Sequence, residues 1–110
     1  MPPAVVHPCV QIGNNVFIWS GAVVGHHSVI GDNCWITSSA NISGSVVIGK
    51  NCFFAVNATV ANEVTVGSRC FIGANALIIK NVEDKQVVVE QQTPVFRLNS
   101  DQFLRITKMS

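Results

Sequence analysis

A large apolar residue returns at every sixth position of this chain, and that period decides what it can fold into. Positions 6, 12, 18, 24, 30, 36, 42, 48, 54, 60, 66, 72 and 78 are all Val, Ile or Phe, thirteen in succession with no insertion or deletion. Four residues after each stands a small or β-branched one: Val10, Val16, Ala22, Ser28, Cys34, Ala40, Val46, Cys52, Ala58, Val64, Cys70, Ala76 and Val82. Directly after the large residue, glycine occupies positions 13, 25, 31, 49, 67 and 73.

An α-helix is excluded, because no 3.6-residue pattern survives so many Gly, Asn and β-branched residues. Each hexad reads instead as a short strand and a turn, with its first and fifth residues pointing inward. Three hexads make one 18-residue coil of a solenoid. The glycines are expected to supply permissive backbone at the corners. The coil length is itself visible: Ile12-Gly13-Asn14-Asn15-Val16-Phe17 returns as Ile30-Gly31-Asp32-Asn33-Cys34-Trp35, Ile48-Gly49-Lys50-Asn51-Cys52-Phe53 and Val66-Gly67-Ser68-Arg69-Cys70-Phe71. The expected fold is all-β: a left-handed parallel β-helix of hexapeptide repeats over residues 1–89, then a C-terminal extension with a short helix over 90–110.

Residues one coil apart should stack at the strand spacing of about 4.8 Å. Cys34, Cys52 and Cys70 make one such ladder. They occupy slots filled elsewhere by Ala and Val, so core packing is expected in preference to a metal or redox site. Phe17, Trp35, Phe53 and Phe71 make an outward-facing ladder, a larger apolar strip than a soluble monomer usually shows. A subunit interface is the expected use, with base or sugar stacking second. Pro2 and Pro3 should blunt the first sheet edge. Beyond Val82 the repeat fades into a turn over 81–85, one more strand over 86–89 and an extension through Pro94. Ser100 is expected to cap a closing helix whose Phe103, Leu104 and Ile106 are available for docking.

Composition narrows the function classes. At 110 residues the chain has room for one cored domain. Seven Lys and Arg against six Asp and Glu, with no basic run, argue against nucleic acid or an anionic membrane as partner. Only 12% of residues are charged and 48% are hydrophobic, which again points to a surface covered by another subunit. The start of the chain lacks the features of a secretion signal, and no stretch of about 18 apolar residues offers a membrane span. Four cysteines in a cored domain fit reduced thiols and a cytoplasmic location.

The three histidines are His7, His26 and His27. His26 and His27 hold the third and fourth positions of their hexad, at a corner and pointing away from the core, so they are not core histidines. On the segments 25–32, 47–53 and 72–82 the chain resembles the hexapeptide-repeat acyltransferases, within them the sugar-modifying branch of bacillosamine-pathway N-acetyltransferases and sialic acid O-acetyltransferases. The resemblance covers roughly residues 5–89. It implies that His26 is a general base, with His27 where the family often has an orienting carboxylate. Acetyl-CoA would lie in a groove between subunits of a homotrimer and pass its acetyl group to an amine or hydroxyl of a sugar or nucleotide-sugar. It further implies Gly44, one coil after His26, beside the acetyl group, where an unshielded amide would meet the developing oxyanion. Gly73, Ala74 and Lys80 would contact the coenzyme.

Besides His27, two further departures from the family stand in the sequence. The usual Gly-x-Pro-Ala stretch reads Val89-Glu90-Gln91-Gln92-Thr93-Pro94. Many relatives also carry an N-terminal nucleotide-sugar-binding domain that these residues do not include, so acceptor specificity is expected from the solenoid or a separate chain. Three further readings compete. A γ-class carbonic anhydrase needs three histidines on zinc. His7 and His26 are out of register, one position more than a coil apart, and no third ligand has suitable spacing, so no metal is expected. Cys9, one coil before His27, hints at a thiol–imidazole pair without an orienting third group. The remaining alternative is a non-catalytic trimeric scaffold or binding module.

Overall fold

The computed structural model describes residues 2–90 and 97–108. Fourteen two-residue strands wind into stacked coils and form three parallel sheets. The first sheet holds Val5–Val6, Val23–Val24, Asn41–Ile42, Thr59–Val60 and Leu77–Ile78. The second holds Gln11–Ile12, Val29–Ile30, Val47–Ile48 and Thr65–Val66. The third holds Phe17–Ile18, Trp35–Ile36, Phe53–Phe54, Phe71–Ile72 and Val87–Val88. Partners such as Val23 and Asn41 stand one full coil apart, as the repeat requires. We call the turns that follow the three sheets the first, second and third corners.

The expected β-helix is the fold observed, and the inward and outward assignments hold. From Val24 to Ile78 every first-position residue is at most 5% exposed, and from Ala22 to Ala76 so is every fifth-position one. Phe54, the one aromatic residue in the aliphatic slot, is fully buried. The core thins at the start, where Val6 and Ile12 remain 46% and 42% exposed because no coil lies beneath them. Pro2 closes part of that end by accepting the Gly21 N–H (3.1 Å).

The glycines act otherwise than the sequence suggests. Left-handed backbone falls at the fourth hexad position, at Asn15, Asn33, Asn51, Asn57 and Asn75 among others, with φ between 59° and 63°. Asn tolerates this conformation better than most residues. Glycine follows the aliphatic residue because successive coils nearly touch there. A Cβ on Gly31 would stand 2.5 Å from the Gly49 carbonyl oxygen, and one on Gly25 would stand 2.5 Å from the Ser43 carbonyl carbon.

The last coil is shortened. Val82 bridges Val66 and Val87 pairs with Phe71, in each case two positions earlier than a full coil would bring them. Val82 therefore takes an aliphatic slot in place of the fifth-position slot expected for it. The turn and the final strand lie where the sequence puts them. The helix spans Ser100–Lys108, but Ser100 does not cap it. Asn99 does: its Oδ1 accepts the Gln102 N–H (2.9 Å) while Gln102 Oε1 accepts the Asn99 N–H (3.1 Å), a reciprocal capping box. Phe103 and Leu104 are about half exposed. Pro94 and the side chain of Ile106 lie outside the described residues.

The cysteine ladder is core. Cys34, Cys52 and Cys70 are at most 2% exposed, and their thiols donate to the Gly49, Gly67 and Glu83 carbonyls at 3.0–3.1 Å. Hydrogen bonding to the Cys34 thiol, then burial, pushes the Cys52 thiol up; burial does the same for Cys70. Because both are raised on folding, the unfolded chain sheds these protons first once the pH passes the ordinary thiol value of about 8.5. The stabilisation from these two thiols is therefore full below that value and declines above it. In a thiol titration at neutral pH, exposed Cys9 should react alone in the native protein and all four in denaturant; rapid native modification of more than one would contradict this packing.

Candidate functional site

The first corner gathers the residues with chemistry. His26 and His27 are both exposed there, and their main chains are tied to the coils on either side. The His27 N–H donates to Pro8 O (3.2 Å), and His26 O accepts the Ser45 N–H (2.8 Å). Just behind them Ser28 is fully buried; its hydroxyl donates to Ser43 O (2.9 Å) and accepts from the Val46 N–H (3.1 Å). The backbone beneath the histidines is thus fixed to the coil that bears Gly44.

His27 occupies the left-handed position, with φ 61°, which brings its ring back beside that of His26. The two Nδ1 atoms are 3.1 Å apart and the rings meet edge-on at 83°. One proton must lie between these nitrogens, so one ring donates and the other accepts. The imidazole of His26 is laid over Gly44. A Cβ at position 44 would stand 2.7 Å from Nε2 and 2.9 Å from Cε1.

Contrary to the sequence expectation, the Gly44 amide is shielded. It donates to Asn62 Oδ1 at 2.8 Å. This belongs to a wider pattern in which the third-position amide of a turn is capped by a side chain one coil on. The Asn14, Lys50 and Ser68 amides are held in the same way by Asp32, Ser68 and Asp84, at 2.7–3.0 Å. The glycine at 44 makes room for the imidazole. Asn62 went unnoticed in the sequence, although its signal was available: positions 26, 44, 62 and 80 are successive coil steps. Lys80 lies on the same corner, three coil spacings or about 14 Å along from His26.

Gly73 and Ala74 stand at the third corner, separated from His26 by the first sheet. The Gly73 N–H donates to Val88 O (2.7 Å), and the residue is buried under the last strand. Ala74 is exposed. A single chain therefore joins His26, His27 and Gly44, aligns Lys80 with them, and leaves Gly73 and Ala74 apart. His7 and Cys9 are exposed in the first coil. Among the described residues no three His, Cys, Asp or Glu side chains come together in a way that could hold a metal ion. No helix among them is long and apolar enough to cross a membrane.

The outward face of the third sheet carries the aromatic ladder. Phe17 stacks on Trp35 with centroids 4.4 Å apart, and Phe53 lies nearly parallel to Phe71 at 5.2 Å. Trp19, which the repeat did not single out, joins the strip 6.3 Å from Trp35 and is 48% exposed.

Residues 27–62 and 45–80 match the bacterial transferase hexapeptide family (six repeats). The hexads over residues 27–80 are thus similar to those of the hexapeptide-repeat transferases. Solved structures agree. The chain superposes on serine acetyltransferase isoform 3 of Entamoeba histolytica, solved with cysteine, with a TM-score of 0.76 and 27% identity over 93% of this chain and 40% of that one. Against the Neisseria gonorrhoeae serine acetyltransferase, solved with serine, the values are 0.74 and 26%, over 81% and 41%. Perosamine N-acetyltransferase of Caulobacter crescentus, solved as a histidine-to-asparagine variant with CoA and GDP-perosamine, shares the fold at 0.64 and 23%, over 86% and 54%. The chain thus spans about two fifths to one half of the length of these structures. No functionally curated protein matches it by sequence.

The two kinds of glycine contact predict different costs for alanine. In Gly31→Ala the new Cβ meets backbone, which cannot swing away, so denaturation should show a loss of about 1–3 kcal/mol. In Gly44→Ala it meets an exposed imidazole. Stability should change by less than about 1 kcal/mol, while the His26 ring resonances move in an NMR spectrum. Equal costs at both sites would refute this distinction.

Proposed function

We propose that this chain is an acetyl-CoA-dependent acyltransferase with His26 as general base. The carrying observation is the lodging of the His26 ring on Gly44 with its Nδ1 engaged by His27. A base working through Nε2 needs its proton on Nδ1, and His27 Nδ1 is placed to accept that hydrogen bond. His26 Nε2 then takes the proton of the acceptor amine or hydroxyl as the nitrogen or oxygen attacks the thioester carbonyl. The new C–N or C–O bond forms, the C–S bond breaks, and the departing thiolate recovers the proton from Nε2. Once His26 is protonated it still donates through Nδ1, so His27 serves throughout in place of a carboxylate.

The Asn62 carboxamide, with Oδ1 fixed by Gly44, offers its Nδ2 hydrogens to the thioester oxygen. The amide of Ala74, the backbone beside Gly73 and the Lys80 ammonium are assigned to the coenzyme. The acceptor class is an amino or hydroxyl group of a sugar or nucleotide-sugar, and the location is the cytoplasm. The narrower likeness to the bacillosamine and sialic acid branch supports the sugar assignment, and the serine acetyltransferase structures support an acetyl transfer in general.

A homotrimer completes the site. The third sheet is the face opposite the first corner, so three chains packed symmetrically on their aromatic strips alone would leave His26 outside. Threefold contacts are heterologous, with different patches meeting. The aromatic strip of one chain set alongside the first corner of the next covers the strip and brings Ala74 near a neighbour's His26. A non-catalytic trimeric scaffold is the second reading, favoured by the same exposed strip.

His26→Ala should fold normally and lose transfer activity by about 10²–10⁴-fold in an acetyl-CoA turnover assay. Full activity in this variant would rule out the base assignment. Calorimetry with acetyl-CoA separates the two readings: saturable binding by the wild-type chain supports the enzyme, and no binding at millimolar ligand supports the scaffold. Light scattering should report about three times the 11.8 kDa chain mass. A stable monomer at micromolar concentration would remove both the interface and the shared site.

A further inference from the structure

The second corner of the solenoid forms a cleft of about 250 Å³ lined by Lys50, Asn51, Ser68, Arg69, Asp84 and Lys85. Its three cations are among only seven Lys and Arg in the chain. They come from three successive coils: Arg69 and Lys85 share the fourth turn position and stack at a step of about 4.8 Å, with Lys50 at the adjoining third position one coil before, so like charges repel. The linear sequence hides the cluster, because a whole coil or nearly so separates each cation from the next.

Two observations bear on what this corner presents to solvent. Most fourth positions carry Asn, Ser or Gly, which suit left-handed backbone. Arg69 and Lys85 occupy that position with φ 59° and 64°, a conformation costly for long side chains. The one carboxylate in the cleft, Asp84, offsets only one of the three cations; its Oδ1 accepts the Ser68 N–H at 2.8 Å, just as Ser68 Oγ accepts the Lys50 N–H at 3.0 Å. The turn amides are thus satisfied within the solenoid, and the ligand-directed groups are the guanidinium and the two ammonium groups.

We propose that this cleft is a binding site for a phosphate ester or diphosphate. A multivalent oxyanion offsets the repulsion among three cations, and a guanidinium meets two phosphate oxygens at once. The volume lies just below the range of pockets that enclose a whole drug-sized ligand, so the cleft takes an anionic group and the rest of the molecule extends beyond it. The inference does not require the acyltransferase assignment, because the cations stand at a different corner from His26.

The test is calorimetric titration of the full chain with inorganic pyrophosphate at low ionic strength, repeated with the Arg69→Asn/Lys85→Asn double variant. Asn suits the left-handed backbone at both positions, so the variant should fold with a thermal midpoint no lower than that of the wild type. Expected are saturable binding that weakens as salt is added, and an affinity reduced at least ~10-fold in the variant. Equal affinity in the two proteins, or no binding by the wild type, would overturn the proposal. Coenzyme A and dephospho-coenzyme A then identify the source of the phosphate. If the variant loses affinity for the first and not the second, the group is the coenzyme's ribose phosphate; if both are bound as by the wild type, while pyrophosphate is not, it belongs to another ligand. Loss of His26 activity with pyrophosphate binding intact would leave this site standing, and loss of pyrophosphate binding alone would leave the catalytic reading standing.

Discussion

Everything in this molecule hangs on the parallel pairing of each two-residue strand with the strand one coil away. Strands so short are unstable in isolation, and each gains stability only as the next coil settles on it. At some second hexad positions the pairing brings backbone so close that a Cβ would meet the neighbouring coil, which is why glycine stands at 25, 31 and 49. It also leaves turn amides at the corners to be held by side chains. The chain answers with Asn, Asp and Ser set one coil further on, at Asp32, Asn62, Ser68 and Asp84. The hydrophobic interior, continuous from Ala22 to Val82, rests on that frame.

Function in such a frame is confined to the corners, because the faces are flat and the interior is closed. At the first corner the residue above His26 is glycine, and the imidazole fills the space that a side chain would take. His27 departs from the Asn, Ser and Gly that usually hold the left-handed position, and its ring engages His26. At the second corner Arg69 and Lys85 make the same departure. Where the solenoid accepts backbone strain at these corners, it gains a charged or proton-carrying side chain directed outward. Such strain is concentrated where side-chain chemistry outweighs local propensity.

Among the described residues the aromatic face of the third sheet stays partly exposed. Phe17, Trp35, Phe53 and Phe71 stack in register because the coil period places them so, and their rings stay partly open to water. The hexads over residues 27–80 are similar to those of hexapeptide transferases, and the similar solved structures are acetyltransferases of which this chain spans about half or less. The proposed general base and the ring that orients it stand together at the first corner, whereas the residues proposed for the coenzyme are kept by one chain on separate edges.

The sequence by itself determined the coil, the direction of each side chain and the stacking of residues one coil apart. A six-residue period with alternate small and large inward positions admits no other register: a shift of one residue would turn the whole apolar set outward. Hence the cysteine core, the aromatic strip and the exposure of His26 and His27 were all legible. Only the tertiary structure decided how neighbouring coils use each other. That the Gly44 amide is taken by Asn62, that His27 turns its Nδ1 to His26, and that Val82 slips into an aliphatic slot depend on backbone dihedrals and coil-to-coil distances, which residue types constrain weakly. The cation cluster of Lys50, Arg69 and Lys85 needed both: the period puts the residues on one corner, and the left-handed turn backbone directs two of them into one cleft.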